Sequence, residues 1–303
     1  MSTSSKETLG GVALFMVGIL LLASMDTTTK YLVALYPAVV VVALRYIVQC
    51  LLMVLLLAPS RGYGLIRTRR TGLVLLRACC LGLASLCMTL ALQRMPVAET
   101  SAIVFLYPIL VVLMAGPVLQ ERVGSLGWLA VAAGFVGVLL IARPGGGLDA
   151  AGVVLALCAA ILNAIYQLLS RVLASTERAI TLQFHAALVG AVCYGMALPW
   201  FWTGPVPPAA HLLLFGCAGV LGGMGHFLVT AAYRHSPASV LAPMQYVQLI
   251  WAALLGWLVF SQVPDGLGLF GMIVVAAAGA TVALNSRRGC RTSNWRPTAG
   301  KAG

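Results

Sequence analysis

Ten apolar stretches follow one another along this chain, each close to the ~20 residues a helix needs to cross a bilayer, with only short charged, proline or glycine breaks between them. They lie near residues 9–30, 37–57, 71–92, 98–119 and 124–142, then 150–173, 180–202, 210–231, 238–260 and 266–285. Backbone polar groups inside hydrocarbon must be satisfied within their own segment, so each stretch is predicted to be a helix. Composition supports this: 61% of the 303 residues are hydrophobic and 9% are charged, with a mean hydropathy of +1.00. Soluble domains carry about 25% charge, so a water-soluble globule is excluded.

The net charge of +12 does not point to nucleic acid, because lysine and arginine punctuate the apolar runs instead of forming a patch. They read as orientation signals. With the amino terminus in the cytoplasm, the inner side holds Lys6, Arg61, Arg67, Arg69, Arg70, Arg122, Arg171, Arg178, Arg234, Arg287, Arg288, Arg291, Arg296 and Lys301. The outer side holds Lys30, Arg94 and Arg143, while Arg45 and Arg77 lie within or at the edge of spans. Fourteen against three fits ten crossings with both termini cytoplasmic, in an inner (plasma) membrane. The basic tail, 286–303, is predicted to be disordered. Cys50, Cys79, Cys80, Cys87, Cys158, Cys193 and Cys217 lie inside apolar runs without metal-ligand spacing, so no disulfide, metal or cofactor is expected.

Displacing the sequence on itself by 141 residues aligns 91–127 with 232–268 without a gap. Ala91, Pro96, Ile109, Leu113, Val118, Leu126 and Gly127 meet Ala232, Pro237, Ile250, Leu254, Val259, Leu267 and Gly268. The matched prolines precede spans four and nine, and the matched glycines fall in spans five and ten. An odd number of spans per copy forces the copies into opposite orientations, the construction of many secondary transporters. The fold expected is therefore an all-α polytopic membrane protein: ten transmembrane helices as two inverted five-helix repeats, 1–142 and 150–285, around a central cavity.

Nearly the whole chain resembles the drug/metabolite transporter superfamily with its EamA-type ten-helix architecture. The most telling stretch is Pro96 to Gly137, where Tyr107-Pro108 interrupt span four, Glu121-Arg122 close it, and Gly127, Gly134 and Gly137 run along span five. Pro237, Pro243, Tyr246, Gly256, Phe260 and Gly268 look like the same unit in the second half, which departs from the family at Gln262, where a glutamate matching Glu121 is usual. Asp26 with Lys30-Tyr31, Arg45-Tyr46 and the run Tyr107 to Glu121 are similar to a bacterial subgroup that includes riboflavin and S-adenosylmethionine uptake proteins.

Polar groups inside spans are costly and each invites a reason. Asp26 and Lys30, four apart at the outer end of span one, share a helix face, as an interfacial ion pair or as coupling groups. Arg45 lies eight residues beyond Pro37, about 12 Å along its helix, and needs a partner, for which Asp26 is the candidate. Glu99 either complements a helix amino terminus or faces the cavity as a coupling carboxylate. Pro108, beside Tyr107, removes a backbone donor and either frees carbonyls for a ligand or kinks the helix.

Asn163, Tyr166 and Gln167 form one stripe of span six, while Gln245, Tyr246, Gln248 and Trp251 cluster in span nine. With Tyr107 and His226 they are the candidate substrate-binding residues; helix-to-helix hydrogen bonding and aromatic packing are the alternatives. His226 and His185 are either helix contacts or proton relays. Gly219 and Gly223 form a GxxxG pair for close helix contact. No phosphate-binding loop follows Pro144, so no nucleotide-driven pump is encoded.

These features describe a secondary carrier for a small polar or amphipathic metabolite, riboflavin-like, S-adenosylmethionine-like or amino-acid-like, working by alternating access and not an enzyme. The alternative is an intramembrane hydrolase or lipid-modifying transferase, for which GxSxG and HExxH are missing. Expected partners are the substrate and the lipid bilayer, not nucleic acid, with homodimerisation left open.

Overall fold

The apolar runs become helices at all ten expected places. The computed structural model describes residues 3–62, 66–119, 125–142, 147–173, 176–202, 204–235, 241 and 244–292. Glu121, Arg122, Arg143, Pro237, Pro243, Arg296 and Lys301 lie outside the described residues. The first half folds as α1 (Thr3–Val33), α2 (Ala38–Arg61), α3 (Thr71–Arg94), α4 (Val97–Val104), α5 (Tyr107–Leu119) and α6 (Ser125–Ala142). The second folds as α7 (Ala150–Leu173), α8 (Ala179–Phe201), α9 (Ala209–His235), α10 (Val247–Phe260) and α11 (Gly266–Thr292). Span four is thus two helices; span nine, expected from 238, is helical at Leu241 and Met244, the described residues of its first part, and continues as α10 from Val247. Helix α11 continues through Thr292, and the rest of the basic tail lies outside the described residues.

Local chemistry sets several of these ends. Pro37, Pro96 and Pro208 immediately precede α2, α4 and α9, and their carbonyls accept the first helical bonds, from Val40, Thr100 and His211. Asp149 and Asp265 accept the amides of Gly152 and Gly268 at 2.7 Å, capping α7 and α11. Ser261 closes α10 in the left-handed region at φ 53°.

The break in span four has a direct cause. Pro108 cannot donate to the Val104 carbonyl and its ring crowds that group, so the helix opens at Phe105 and Leu106. The second repeat breaks its ladder at Gln245 and Tyr246, the corresponding turn.

The 141-residue displacement holds well beyond the stretch where the sequence displays it. Helices α2 and α8 begin at 38 and 179. Packing follows the same rule: α1 against α9 mirrors α7 against α3, and α2 against α9 mirrors α8 against α3, while α2 pairs with α8 and α6 with α11 across the symmetry axis. The fold is two inverted five-helix repeats.

Small residues allow the closest of these contacts. A Cβ on Gly137 would lie 2.9 Å from the Gly271 carbonyl, and one on Gly18 would lie 3.1 Å from that of Gly225, so α6–α11 and α1–α9 meet backbone to backbone. The expected GxxxG pair serves α2: Gly219 admits Val48, and Gly223 faces Gln49. Outward faces carry exposed Leu55, Leu129, Phe135, Val154, Met196 and Leu213, a surface suited to acyl chains.

Candidate functional site

A cavity of about 450 Å³ opens between the repeats. Seven pairs of its lining residues are related by the 141-residue displacement: Leu22 with Asn163, Met25 with Tyr166, Asp26 with Gln167, Ser85 with His226, Met88 with Val229, Val104 with Gln245, and Tyr107 with Gln248. The cavity therefore sits on the pseudo-two-fold axis. Both interrupted spans reach it, through Val104, Phe105 and Tyr107 on one side and Gln245 and Gln248 on the other. Discontinuous helices at a midplane site are a recurring transporter construction.

Of the expected binding residues, Tyr107, Asn163, Tyr166, Gln167, His226, Gln245 and Gln248 line the cavity. The side chains of Gln167, Gln245 and Gln248 have no protein hydrogen-bond partner among the described residues, which leaves their amides to the cavity. Asn163 donates to the Ala159 carbonyl of its own helix at 2.9 Å. Tyr246 and Trp251 are not in the wall. Tyr246 is buried in the core against the Phe105 ring, and Trp251 packs with Phe15 and Ile19 of α1. Only the structure shows which face of span nine turns inward. His185 bonds the Thr181 carbonyl at 2.9 Å as a helix contact, whereas His226 faces the cavity.

The charged residues separate into two groups. Asp26 and Arg45 line the cavity and are 8% and 6% exposed. They do not form the ion pair expected of them within 4.0 Å. Arg45 instead lies 5.2 Å from the Tyr46 ring centroid, with Nη1 directed at Met25 Sδ at 3.8 Å. Nor does Lys30 pair with Asp26. Its Nζ donates to the Leu92 and Met95 carbonyls and sits 5.6 Å from the centre of the Phe260 ring. Glu99 lies in the first turn of α4, buried and outside the cavity wall, with Oε2 unpartnered.

Position along the chain put Arg77 at a span edge, yet it is a principal wall residue. Its Nε donates to Ser170 Oγ at 2.7 Å, Nη1 to the Leu182 carbonyl at 3.0 Å and Nη2 to the Tyr166 hydroxyl at 2.8 Å. A signal for this exists in the sequence: Arg77 is seven residues beyond Arg70, about 10 Å into the helix. Ser85, Ser101, Ser170 and Thr230 also line the cavity without having been expected there, since a hydroxyl in a membrane helix has no distinctive pattern. Glu177, at the cavity rim, accepts the Arg69 and Arg70 amides and caps α3.

The model of the EamA-like transporter family matches residues 9–143 and 150–284, two intervals again separated by 141 residues. The riboflavin transporter of Rhizobium johnstonii is 30% identical over 198 residues, so the match spans 65% of this chain and 65% of that relative's length. A pseudopaline exporter of Pseudomonas aeruginosa is 27% identical over 274 residues, 88% of this chain and 94% of that one. An S-adenosylmethionine uptake transporter of Rickettsia felis is 23% identical over 278 residues, 92% and 94% of the two chains. One crystal structure superposes with a TM-score of 0.65 over 92% of this chain and 98% of that one at 18% identity, which shows a common fold.

Proposed function

Because the chain belongs to the EamA-like transporter family, we propose that this multi-pass membrane transporter is a secondary carrier moving a small polar or amphipathic metabolite by alternating access. The observation that carries this reading is the position of the cavity. Its walls are repeat-equivalent residues of opposite membrane orientation, so rocking one repeat against the other exchanges the end at which it opens. The wall reaches Glu177 and Ser170, near the basic 66–70 segment and Arg178, while at the other end Lys30 ties α1 to the α3–α4 junction. The positive-inside count makes the first end cytoplasmic. On this reading the protein resides in the inner membrane with both termini in the cytoplasm, and the Glu177 end of the cavity faces the cytoplasm.

The substrate meets unengaged amides from Gln167, Gln245 and Gln248 and the aromatic rings of Tyr107, Tyr166 and Phe105. The test is counterflow in liposomes carrying the purified protein, using metabolites first chosen by thermal shift. A preloaded metabolite should drive uptake of its labelled form, and Gln245→Ala or Asn163→Ala should weaken it. Failure of every thermal-shift hit to exchange faster than in protein-free liposomes would overturn the reading. Reporter fusions at the two termini should both report cytoplasm.

A further inference from the structure

Among the nine-tenths-buried residues of the wall the charge is unbalanced and comes from one repeat; the other wall carboxylate, Glu177 of the second repeat, is half-buried and holds the Arg69 and Arg70 amides. Arg45, Arg77 and Asp26 line it and are 6%, 5% and 8% exposed. The positions 141 residues further on hold Ala186, Ala218 and Gln167. The same five-helix unit is therefore built a second time with neutral residues at these places, so packing of the unit does not itself require the charges.

The two guanidinium groups are held differently. Arg77 spends three of its donors on neutral partners, Ser170, Leu182 and Tyr166, and lies 4.3 Å from the Tyr166 ring centroid. Its position is fixed and its charge is not neutralised. Arg45 meets the thioether of Met25 at 3.8 Å and the neighbouring Tyr46 side chain, and it feels the charge of Asp26 without a direct ion pair. Asp26 forms no ion pair with either arginine within 4.0 Å. A guanidinium in this setting is expensive unless an anion with matching hydrogen-bond geometry joins it. Among these buried groups two cations and one anion leave one positive charge unmatched, Glu177 being engaged by the Arg69 and Arg70 amides.

We infer that the transported molecule is an organic acid with one net negative charge, whose carboxylate docks on the Arg45 fork beside the positive field of Arg77. This rests on the carrier reading and specifies its substrate class. The carboxylate takes two parallel N–H bonds from Arg45, the geometry guanidinium groups favour. The body of the molecule lies along Tyr166 and the amides of Gln167, Gln245 and Gln248, which can bond its remaining polar groups.

The experiment uses matched acids and amides, namely glutamate with glutamine, aspartate with asparagine and nicotinate with nicotinamide, together with riboflavin and S-adenosylmethionine. Binding is read by thermal shift of the full chain in detergent, and transport by counterflow in liposomes. At least one acid should bind more tightly than its amide by roughly tenfold or more, the scale of a charge-assisted pair. Arg45→Gln should bring that acid down to the level of its amide and leave the amide unchanged. If Arg45→Gln does not fold, the ratio in the wild-type protein decides alone. Binding of no acid, or equal binding of acid and amide, overturns the inference. Exchange of riboflavin or an amide without acid preference removes the anion and keeps the carrier. Binding without exchange of any bound compound removes the carrier, while the acid-to-amide ratio still decides the anion.

Discussion

Arg77 of α3 and Tyr166 of α7 are joined twice, by a 2.8 Å hydrogen bond from Nη2 to the phenolic oxygen and by the guanidinium lying 4.3 Å from the ring centroid. This ties the first repeat to the second at the cavity wall. At the mirrored contact of α9 with α1 the same positions hold Ala218 and Met25, so the tie exists on one side of the axis only. Tyr166→Phe keeps the ring and removes the acceptor, and should cost about 1 kcal/mol. Tyr166→Ala also removes the stacking, leaves Arg77 with less support, and should reduce both stability and substrate binding. Thermal unfolding in detergent compares the two. Equal midpoints for Tyr166→Ala and wild type would show that the contact carries no weight.

Gly137 and Gly271 set the approach of α6 to α11. A Cβ on Gly137 meets Val275 Cγ2 at 2.8 Å and the Gly271 carbonyl at 2.9 Å, and the second of these is backbone that cannot swing aside. Gly137→Ala should therefore destabilise by roughly 1–3 kcal/mol, the usual cost of overpacking. A Cβ on Gly216 in α9 would meet nothing within 4 Å, so Gly216→Ala should be neutral or slightly stabilising through helix propensity. Unfolding midpoints of the two variants, measured side by side, should move in this order.

Pro108 holds span four open. Pro108→Ala restores a donor opposite the Val104 carbonyl and allows α4 and α5 to join into one helix. The straightened span would carry Phe105 and Tyr107 away from their places in the wall. Transport should slow several-fold while the unfolding temperature holds or rises, a combination that separates a working break from a tolerated defect. Unchanged counterflow would assign the break to packing alone.

Much of this architecture is legible in the amino-acid sequence because the bilayer imposes a length and an orientation on every span. The ten helices, the alternation of basic residues and the 141-residue displacement all follow from that constraint. The cavity is legible where polar residues recur at helical spacing, as in Asn163, Tyr166 and Gln167. Rotation about a helix axis is not legible in a span apolar on every side, which is why Tyr246 and Trp251 could be grouped with Gln248 yet pack elsewhere. The true partners of Lys30 are two backbone carbonyls, Leu92 and Met95, and a carbonyl has no residue type to recognise.

Asp26 and Glu99 differ in what they can exchange protons with. Asp26 faces the cavity together with Arg45, Arg77 and His226, whereas Glu99 is buried in the first turn of α4 near the Lys30 end. A coupling group must reach water on both sides in turn, and of these two carboxylates Asp26 lines the cavity while Glu99 does not. In vesicles, Asp26→Asn should make uptake insensitive to an imposed proton gradient, and Glu99→Gln should retain the wild-type response. The reverse pattern, or retained gradient dependence in both variants, would remove Asp26 from the coupling role.

On the alternating-access reading proposed above, the bonds of Lys30 are the tie that keeps the end away from Glu177 closed. Its ammonium donates to the Leu92 and Met95 carbonyls at the junction of α3 and α4 and lies 5.6 Å from the centre of the Phe260 ring at the end of α10, so one side chain of α1 holds to both that junction and α10. For the cavity to open outward these bonds must break, since α1 cannot separate from α3 while they hold. Lys30→Met keeps the length of the side chain and removes the donors. In a background with the eight native cysteines replaced, Met25→Cys supplies a thiol in the wall. A membrane-impermeant thiol reagent applied from the outer side should label it slowly with Lys30 present and several-fold faster in Lys30→Met. Equal labelling rates would mean that the closure resides in helix packing and that Lys30 only satisfies two carbonyls.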